Sequence, residues 1–401
     1  MSAALDGVRI ADFSHVFAGP YCTLILADMG AEVIKIEPPK GDTTRGFTPP
    51  DLCGESPTFL YMNRNKKGVV LDMSAEEGKQ VALDIVARAD ILMENFATGV
   101  MQRLGLDYDT VAKLNPRLIY CSISAYGRTG RFADRPGYDP VVQAETGLLY
   151  LNGFADGEPH KSAMAMIDMT TGMFAAHAIL AALYARVASG RGQFIDVPLF
   201  DNAASLGSYQ TMNYLVSGKD PTRLGNKSPV TAPVDLYDAQ DGKFFMTIGG
   251  DRVWQKLVKA LGMPQELQST DLATNSGRLQ NEPRMTSILQ RLFGQIPLAQ
   301  LLDRLRAAGV PVGPVRSIAE AVDSPEMKER AVIGTAPHTG AGTVPNLRLP
   351  MAMSGTPLIA PRGAPLLGEH THSVLADLLQ YTPDRIADLE NKRVIVQSRK
   401  S

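Results

Sequence analysis

Apolar positions fall in short runs through the first half of the chain. Val8–Phe13 is one such run. Pro20–Met29 carries apolar residues at helical spacing and is ended by Gly30, and Glu32–Glu37 is a second run stopped by Pro38 and Pro39. Together they predict a strand–helix–strand unit. Val69–Asp72, Asp90–Glu94 and Leu118–Ser124 read as further strands. A helix opens at Ser74, with Glu77 completing a capping box. Strands alternating with helices predict an α/β fold, a doubly wound, Rossmann-like parallel sheet. Beyond it the pattern predicts a helix from about Met169 to near Gly190, a strand at Phe194–Leu199 and a helix over Asp201–Val216. Met169–Ala185 has 17 residues without a formal charge, at the bottom of the membrane-spanning range, and Thr170, Thr171, Gly172 and His177 interrupt it. A helix buried on all sides in a large core is the better reading, and no membrane partner is expected.

Composition shifts after Val216. Ser217–Pro233 is rich in Gly, Lys, Pro, Asn and Ser and reads as a linker. A strand at Lys243–Ile248 and helical patterns at Val253–Leu261, Met285–Phe293 and Leu298–Ala308 then suggest a smaller α+β domain. After Val310–Val315 a Pro/Gly-rich stretch returns to helical patterns at Val374–Leu379 and Pro383–Leu389. At 401 residues, two to three domains are expected. The simplest division gives 1–216 to a large domain, 217–233 to a linker, 234–325 to an inserted small domain, and 326–401 to a return into the large one.

Charge and cysteine narrow the function. Forty Lys and Arg against 42 Asp and Glu leave a net charge of −2, so no nucleic-acid partner is expected. The three cysteines show no CxxC or Cys/His spacing, which argues against a disulfide framework and a metal site. With an N-terminus lacking a basic and an apolar region, this favours the cytoplasm. Ser14–Pro20 follows the first strand without a G-x-G-x-x-G, and the chain has no P-loop, H-E-x-x-H or G-x-S-x-G. A routine dehydrogenase, nucleotidase or hydrolase is not indicated.

One residue stands out. Asp168 is an isolated acid among apolar residues at the start of the long helix. As structure it is an N-cap; as chemistry it is a carboxylate nucleophile, kept ionised by the helix N-terminus. The two roles are compatible. His177 lies nine residues on, roughly on the opposite helix face, so it forms no dyad with Asp168 and reads as a core or interface histidine.

Eight segments in one order resemble the family III CoA-transferases, which include formyl-CoA and carnitine-related CoA-transferases. They are Phe13–Pro20, Gly30–Glu37, Asn63–Lys67, Glu94–Phe96, Asn115–Ile119, Gly190–Gln193, Arg223–Asn226 and Leu366–Thr371. The resemblance implies an inserted small domain and an interlocked homodimer. It places Asp168 at the family's catalytic aspartate, attacking the thioester carbonyl of an acyl-CoA. A mixed anhydride and then an aspartyl-CoA thioester follow, with CoA thioesters as substrates and no tightly bound cofactor or metal. By resemblance, Val16, Asn95, Phe96 and Arg103 hold CoA, Tyr126 stands near the thioester, and Leu71 to Met73 lie beside the adenine.

Gly249 and Gly250 are nominated for oxyanion binding or shielding, although a Gly pair is as readily a plain turn. Phe17 stands where formyl-CoA transferase carries Gln, an added glycine-rich loop is missing, and Pro38 replaces a basic residue. Oxalate/formate exchange in that manner is therefore not expected. The similarity favours succinyl-CoA as donor and a small dicarboxylate as acceptor: itaconate, mesaconate, citramalate, glutarate or oxalate. Arg45, Lys66 and Arg223 are loop candidates for the second carboxylate, though each reads more readily as a solvated charge or a dimer salt bridge. An α-methylacyl-CoA racemase is the rival, and it needs a histidine base where Tyr138 stands. A CoA-binding protein without turnover is the non-catalytic alternative, in which Asp168 is only a cap.

Overall fold

The computed structural model describes residues 2–398. Six strands run parallel in one sheet: β1 (Arg9–Asp12), β2 (Glu32–Glu37), β3 (Lys66–Leu71), β4 (Ile91–Glu94), β5 (Ile119–Ser124) and β6 (Phe194–Pro198). Their order, β3-β2-β1-β4-β5-β6, is the doubly wound one. It reverses direction between β1 and β4. The crevice outside the carboxyl ends of these two strands is where such sheets bind ligands.

Successive side chains of the strands feed two cores. Ile10, Val33, Ile91 and Cys121 pack on one face, whereas Ala11, Ile34, Leu92 and Tyr120 pack on the other. The first face is covered by α1 (Ala18–Asp28), every residue of which is buried, and the second by α2 (Glu76–Val86). The expected capping box does not form. Ala75 is the N-cap of α2, and Ser74 Oγ instead donates to Asp72 Oδ1 at 2.6 Å.

Two helices bear on the site: α3 (Asp139–Glu145) and α4 (Met166–Ser189). Gly172 lets α4 approach α1 closely, since a Cβ there would lie 2.6 Å from the Ala18 carbonyl oxygen and 3.2 Å from Cys22 N. Contrary to expectation, α4 is not buried all round. Ile167, Ala175, Ala176 and Ile179 face inward, while Tyr184 and Val187 are 83% and 85% exposed. His177 is exposed beside Phe174, so it is not a core residue. The single helix expected over 201–216 is two, α5 (Leu199–Leu206) and α6 (Ser208–Ser217). They are broken where Ser208 takes a left-handed φ of 48°.

The chain divides into two compact units. The first takes the chain up to Leu148, Lys161–Met212 and the segment from Lys328 onward; the second takes Leu149–His160 and Asn213–Met327. The second unit is built on an antiparallel sheet of β7 (Val234–Asp238), β8 (Lys243–Thr247) and β9 (Val312–Pro314). Its core holds Phe244, Trp254, Met285 and Phe293. Arg278 is fully buried there, its guanidinium 5.1 Å from the Trp254 ring centre and 2.9 Å from Asp251. In the first unit, β10 (Ile333–His338) and β11 (Gly342–Leu347) form a hairpin. The short β12 (Ile395–Val396) pairs antiparallel with β3, so the main sheet has seven strands.

The α1–α4 contact yields a prediction. Gly172→Val is expected to lower stability by about 1–3 kcal/mol, read as a reduced urea midpoint, because the α4 backbone must move away from α1. An unchanged midpoint would show that the two helices are not in register at this glycine.

Candidate active site

The carboxyl ends of β1 and β4 open into a cleft of about 300 Å³. Its walls come from the β1–α1 loop (His15, Val16, Phe17), the loop after β4 (Asn95, Phe96), the approach to α3 (Arg135, Tyr138) and the first turn of α4, which supplies Asp168. The sheet reversal and Asp168 therefore coincide.

Asp168 is not the N-cap. Helix α4 starts at Met166, two residues before it, with Ala165 in the cap position and no side-chain bond from there. The cap comes from Asp139 at the start of α3, a residue almost fully buried. Its Oδ2 accepts from Ile167 N at 2.7 Å and Asp168 N at 3.1 Å, while Oδ1 accepts from Gln143 Nε2. Asp139 thus holds the amides that were expected to hold Asp168. The expected effect on Asp168 reverses: burial, and then the neighbouring Asp139 charge, push its carboxyl from the ordinary 3.8 up to about 7. A carboxylate of raised pKa is a better nucleophile once ionised, and this one ionises near neutral pH.

The β1–α1 loop is shaped from beneath by buried charges. Lys35 Nζ lies 2.9 Å from Asp42 Oδ2 and 2.9 Å from the Ser14 carbonyl oxygen. Lys66 Nζ lies 3.1 Å from Asp12 Oδ2, and Asp12 accepts from Ser14 N at 3.0 Å. Burial alone would raise Asp12 and Asp42 and lower Lys35. The opposite charges win, holding both carboxyls low and the Lys35 ammonium high. For Lys66 burial outweighs Asp12 and lowers its pKa to about 8. From the other side, Asn95 clasps His15, with Nδ2 donating to His15 O and Oδ1 accepting from His15 N, each at 2.8 Å. Val16 between them has φ 68°, rare for a β-branched residue. Arg128 also lines the cleft, but its donors are taken by Glu94, Ser122, Phe96 O and Ile123 O.

Of the residues nominated from sequence, the fold brings Val16, Phe17, Asn95, Phe96, Tyr138 and Asp168 to one cleft. Others lie elsewhere. Leu71 is 0% exposed in β3 and has no surface to offer an adenine, and Met73 is half-buried against the core. Arg103 is exposed on the short helix Val100–Leu104 and does not line the cleft. The Tyr126 ring packs at Gly137, and its hydroxyl donates to Glu145 at 2.8 Å. Arg45 is committed to Glu37 and Glu55 and stacks on Phe59, and Lys66 is committed to Asp12, so neither cation is free for a substrate carboxylate. Arg223, in the second unit, donates to the carbonyls of Tyr150 and Phe154. Gly249 and Gly250 lie in the second unit between β8 and the helix Asp251–Ala260, and a Cβ on either would meet nothing within 4 Å.

Sequence reasoning missed Asp139, Lys35 and Asp42. The signal for Lys35 was visible, a lysine inside the apolar run of β2. Asp139 stood beside Tyr138 in a segment read only for its tyrosine.

The family model for CoA-transferase family III matches residues 5–371. A succinate–glutarate CoA-transferase of Agrobacterium fabrum is 37% identical over 381 residues, covering 93% of this chain and 95% of its own. An acetyl-CoA:oxalate CoA-transferase of Acetobacter aceti is 39% identical over 330 residues, covering 82% and 85%. Among solved structures, a CaiB/BaiF family protein from Brucella suis superposes with a TM-score of 0.85 at 37% identity, covering 94% of this chain and all of that one.

The Asp168 environment makes a stability prediction. Its carboxyl binds a proton more tightly folded than unfolded, so its contribution to stability declines as pH rises from about 4 to 7. Asp168→Asn removes a charge that is buried beside another. The variant should be more stable than the wild type at pH 8, by on the order of 1–3 kcal/mol, with the gap closing towards pH 4. Urea unfolding at the two pH values measures it; a gap independent of pH would show that the carboxyl is not shifted.

Proposed function

Since the chain belongs to CoA-transferase family III, we propose that Asp168 is its nucleophile, that succinyl-CoA is its donor and that a small dicarboxylate is its acceptor. The observation that carries the reading is Asp168 itself. It is a half-buried carboxylate deprived of the helix amides by Asp139 and set in a cleft at the sheet's switch point.

The chemistry follows from that placement. Asp168 attacks the thioester carbonyl, the tetrahedral oxyanion collapses, and CoA leaves as a thiolate, which gives an acyl-aspartyl anhydride. The thiolate then attacks the aspartyl carbonyl and releases the acyl group as a free acid, leaving an aspartyl-CoA thioester. The acceptor carboxylate attacks this thioester, forming a second anhydride and expelling CoA. CoA finally attacks the acceptor's carbonyl and restores Asp168. Every step exchanges one activated carbonyl for another, and no external energy source enters.

Oxyanion donors are available beside Asp168. Helix α1 begins at Ala18 with no side-chain cap, and Ala18 lines the cleft, so the N–H groups of Ala18 and Gly19 are the first candidates. Gly249 and Gly250 are second candidates, because no local packing demands a glycine at either place. The acceptor class rests on relatives whose names pair CoA transfer with succinate and glutarate or with oxalate. The exposed apolar side chains of α4 and α6, Tyr184, Val187 and Met212 among them, suit burial against a second copy, in keeping with a homodimer.

Three outcomes are expected. Wild-type protein incubated with succinyl-CoA should gain the mass of a succinyl anhydride or a CoA thioester, either of which hydroxylamine displaces to leave a hydroxamate on Asp168, and Asp168→Asn should gain none. Label elsewhere, or no label with any acyl-CoA, would remove Asp168 from this role. The rate of acylation should climb about tenfold per pH unit below pH 7 and level off above it, as Asp168 ionises. Gly250→Val should leave the urea midpoint unchanged while turnover falls at least tenfold. Full turnover in that variant would assign the glycines to a turn alone.

A further inference from the structure

Lys35 and Asp42 do not line the cleft, and no step of the reaction uses them. Both side chains are fully buried. A buried ion pair is a poor stabiliser, since an apolar pair of similar volume serves as well or better. Asp42 Oδ1 caps the turn Thr43–Gly46, accepting from Thr44 N at 2.9 Å and Thr44 Oγ1 at 2.8 Å, and the remaining contacts of the pair reach the cleft loop. Lys35 Nζ donates to Ser14 O at 2.9 Å, Asp42 Oδ1 accepts from Val16 N at 3.4 Å, and Asp42 Oδ2 lies 3.6 Å from His15 Nδ1. Three consecutive residues are therefore tied to a single pair, 2.9 Å apart. The last of the three, Val16, is held at φ 68°, which persists only where its surroundings over-determine it.

We propose that Lys35 and Asp42 are positioning residues for the Asp168 cleft, holding Ser14–Phe17 in the strained conformation that sets Val16, Phe17 and the open first turn of α1 beside Asp168. The inference rests on Asp168 being the acylated group. Released from the pair, Val16 relaxes to an ordinary conformation and carries Phe17 and the α1 amides away from the reacting carbonyl. Misplacement on the scale of 1 Å costs about a hundredfold in rate, whereas CoA contacts elsewhere on the chain are untouched.

The test uses the double variant Lys35→Met/Asp42→Leu, which removes the ties to Ser14, His15 and Val16 together and takes out both charges of the pair at once. Arg64→Met serves as the control. It breaks another buried pair, Arg64–Asp28 at 2.7 Å, that has no contact with the loop. Acylation by succinyl-CoA, measured well below the melting temperature, should be 10–100-fold slower in the double variant, with KM for the thioester changed less than about threefold. The control should lose thermal stability and keep the wild-type rate. Hydrogen exchange of the peptide spanning Ser14–Phe17 should be faster in the double variant and unchanged in the control.

A wild-type rate in the folded double variant overturns the proposal, whatever its melting temperature, as does unchanged exchange. If the wild type forms no acyl-enzyme, the reading of Asp168 fails instead. The exchange measurement then still decides whether the pair holds the loop.

Discussion

A charge withdrawn from water must be matched, and where the end of β1, the second half of β2 and the start of β3 meet, this requirement organises the molecule. Asp12, Lys35, Asp42 and Lys66 are buried together, and each finds an opposite charge within about 3 Å. Removing any one strands another in a medium that does not solvate it. The loop over this block, Ser14–Phe17, has little freedom of its own. The cleft wall is thus a consequence of ion pairing underneath it, and its shape is as rigid as those pairs.

The two carboxylates at the start of α4 illustrate the complementary case. Asp139 and Asp168 lie side by side, yet Asp139 collects two backbone N–H groups and a glutamine amide, and Asp168 collects none of them. Identical side chains differ in function because one takes the helix amides while the other is left buried beside it. One caps the helix, and the other, pushed up by burial and by its neighbour's charge, changes charge near neutrality. The helix dipole, which from sequence was expected to serve Asp168, serves its neighbour.

Much of the sheet was legible. β1, β2, β4 and β5 lie within a residue or two of the apolar runs that predict them, because a strand buried on both faces is apolar throughout and its ends are marked by Gly and Pro. The hairpin β10–β11 was not legible. Its strands carry Pro337, Pro345 and several exposed positions, so their alternation is blurred. The start of α4 was misread because its cap is 29 residues distant in the chain, and local patterns cannot register a long-range partner. At the site, Asp168 was legible as a lone acid in an apolar stretch. Arg45 and Lys66, candidates for a substrate carboxylate that read more readily as solvated charges or dimer salt bridges, are locked within the chain to Glu37 and Asp12, partners that sequence does not reveal.

The strand β12 closes one side of the main sheet with only two residues, Ile395 and Val396. Without it, β3 would present a row of unpaired backbone groups beside apolar Val70 and Leu71, a ready template for another chain to add a strand. A few residues remote from the chemistry therefore close that edge to strand addition by another chain. Trimming or crowding that tail would first show as loss of soluble protein, with the catalytic apparatus of every remaining molecule intact.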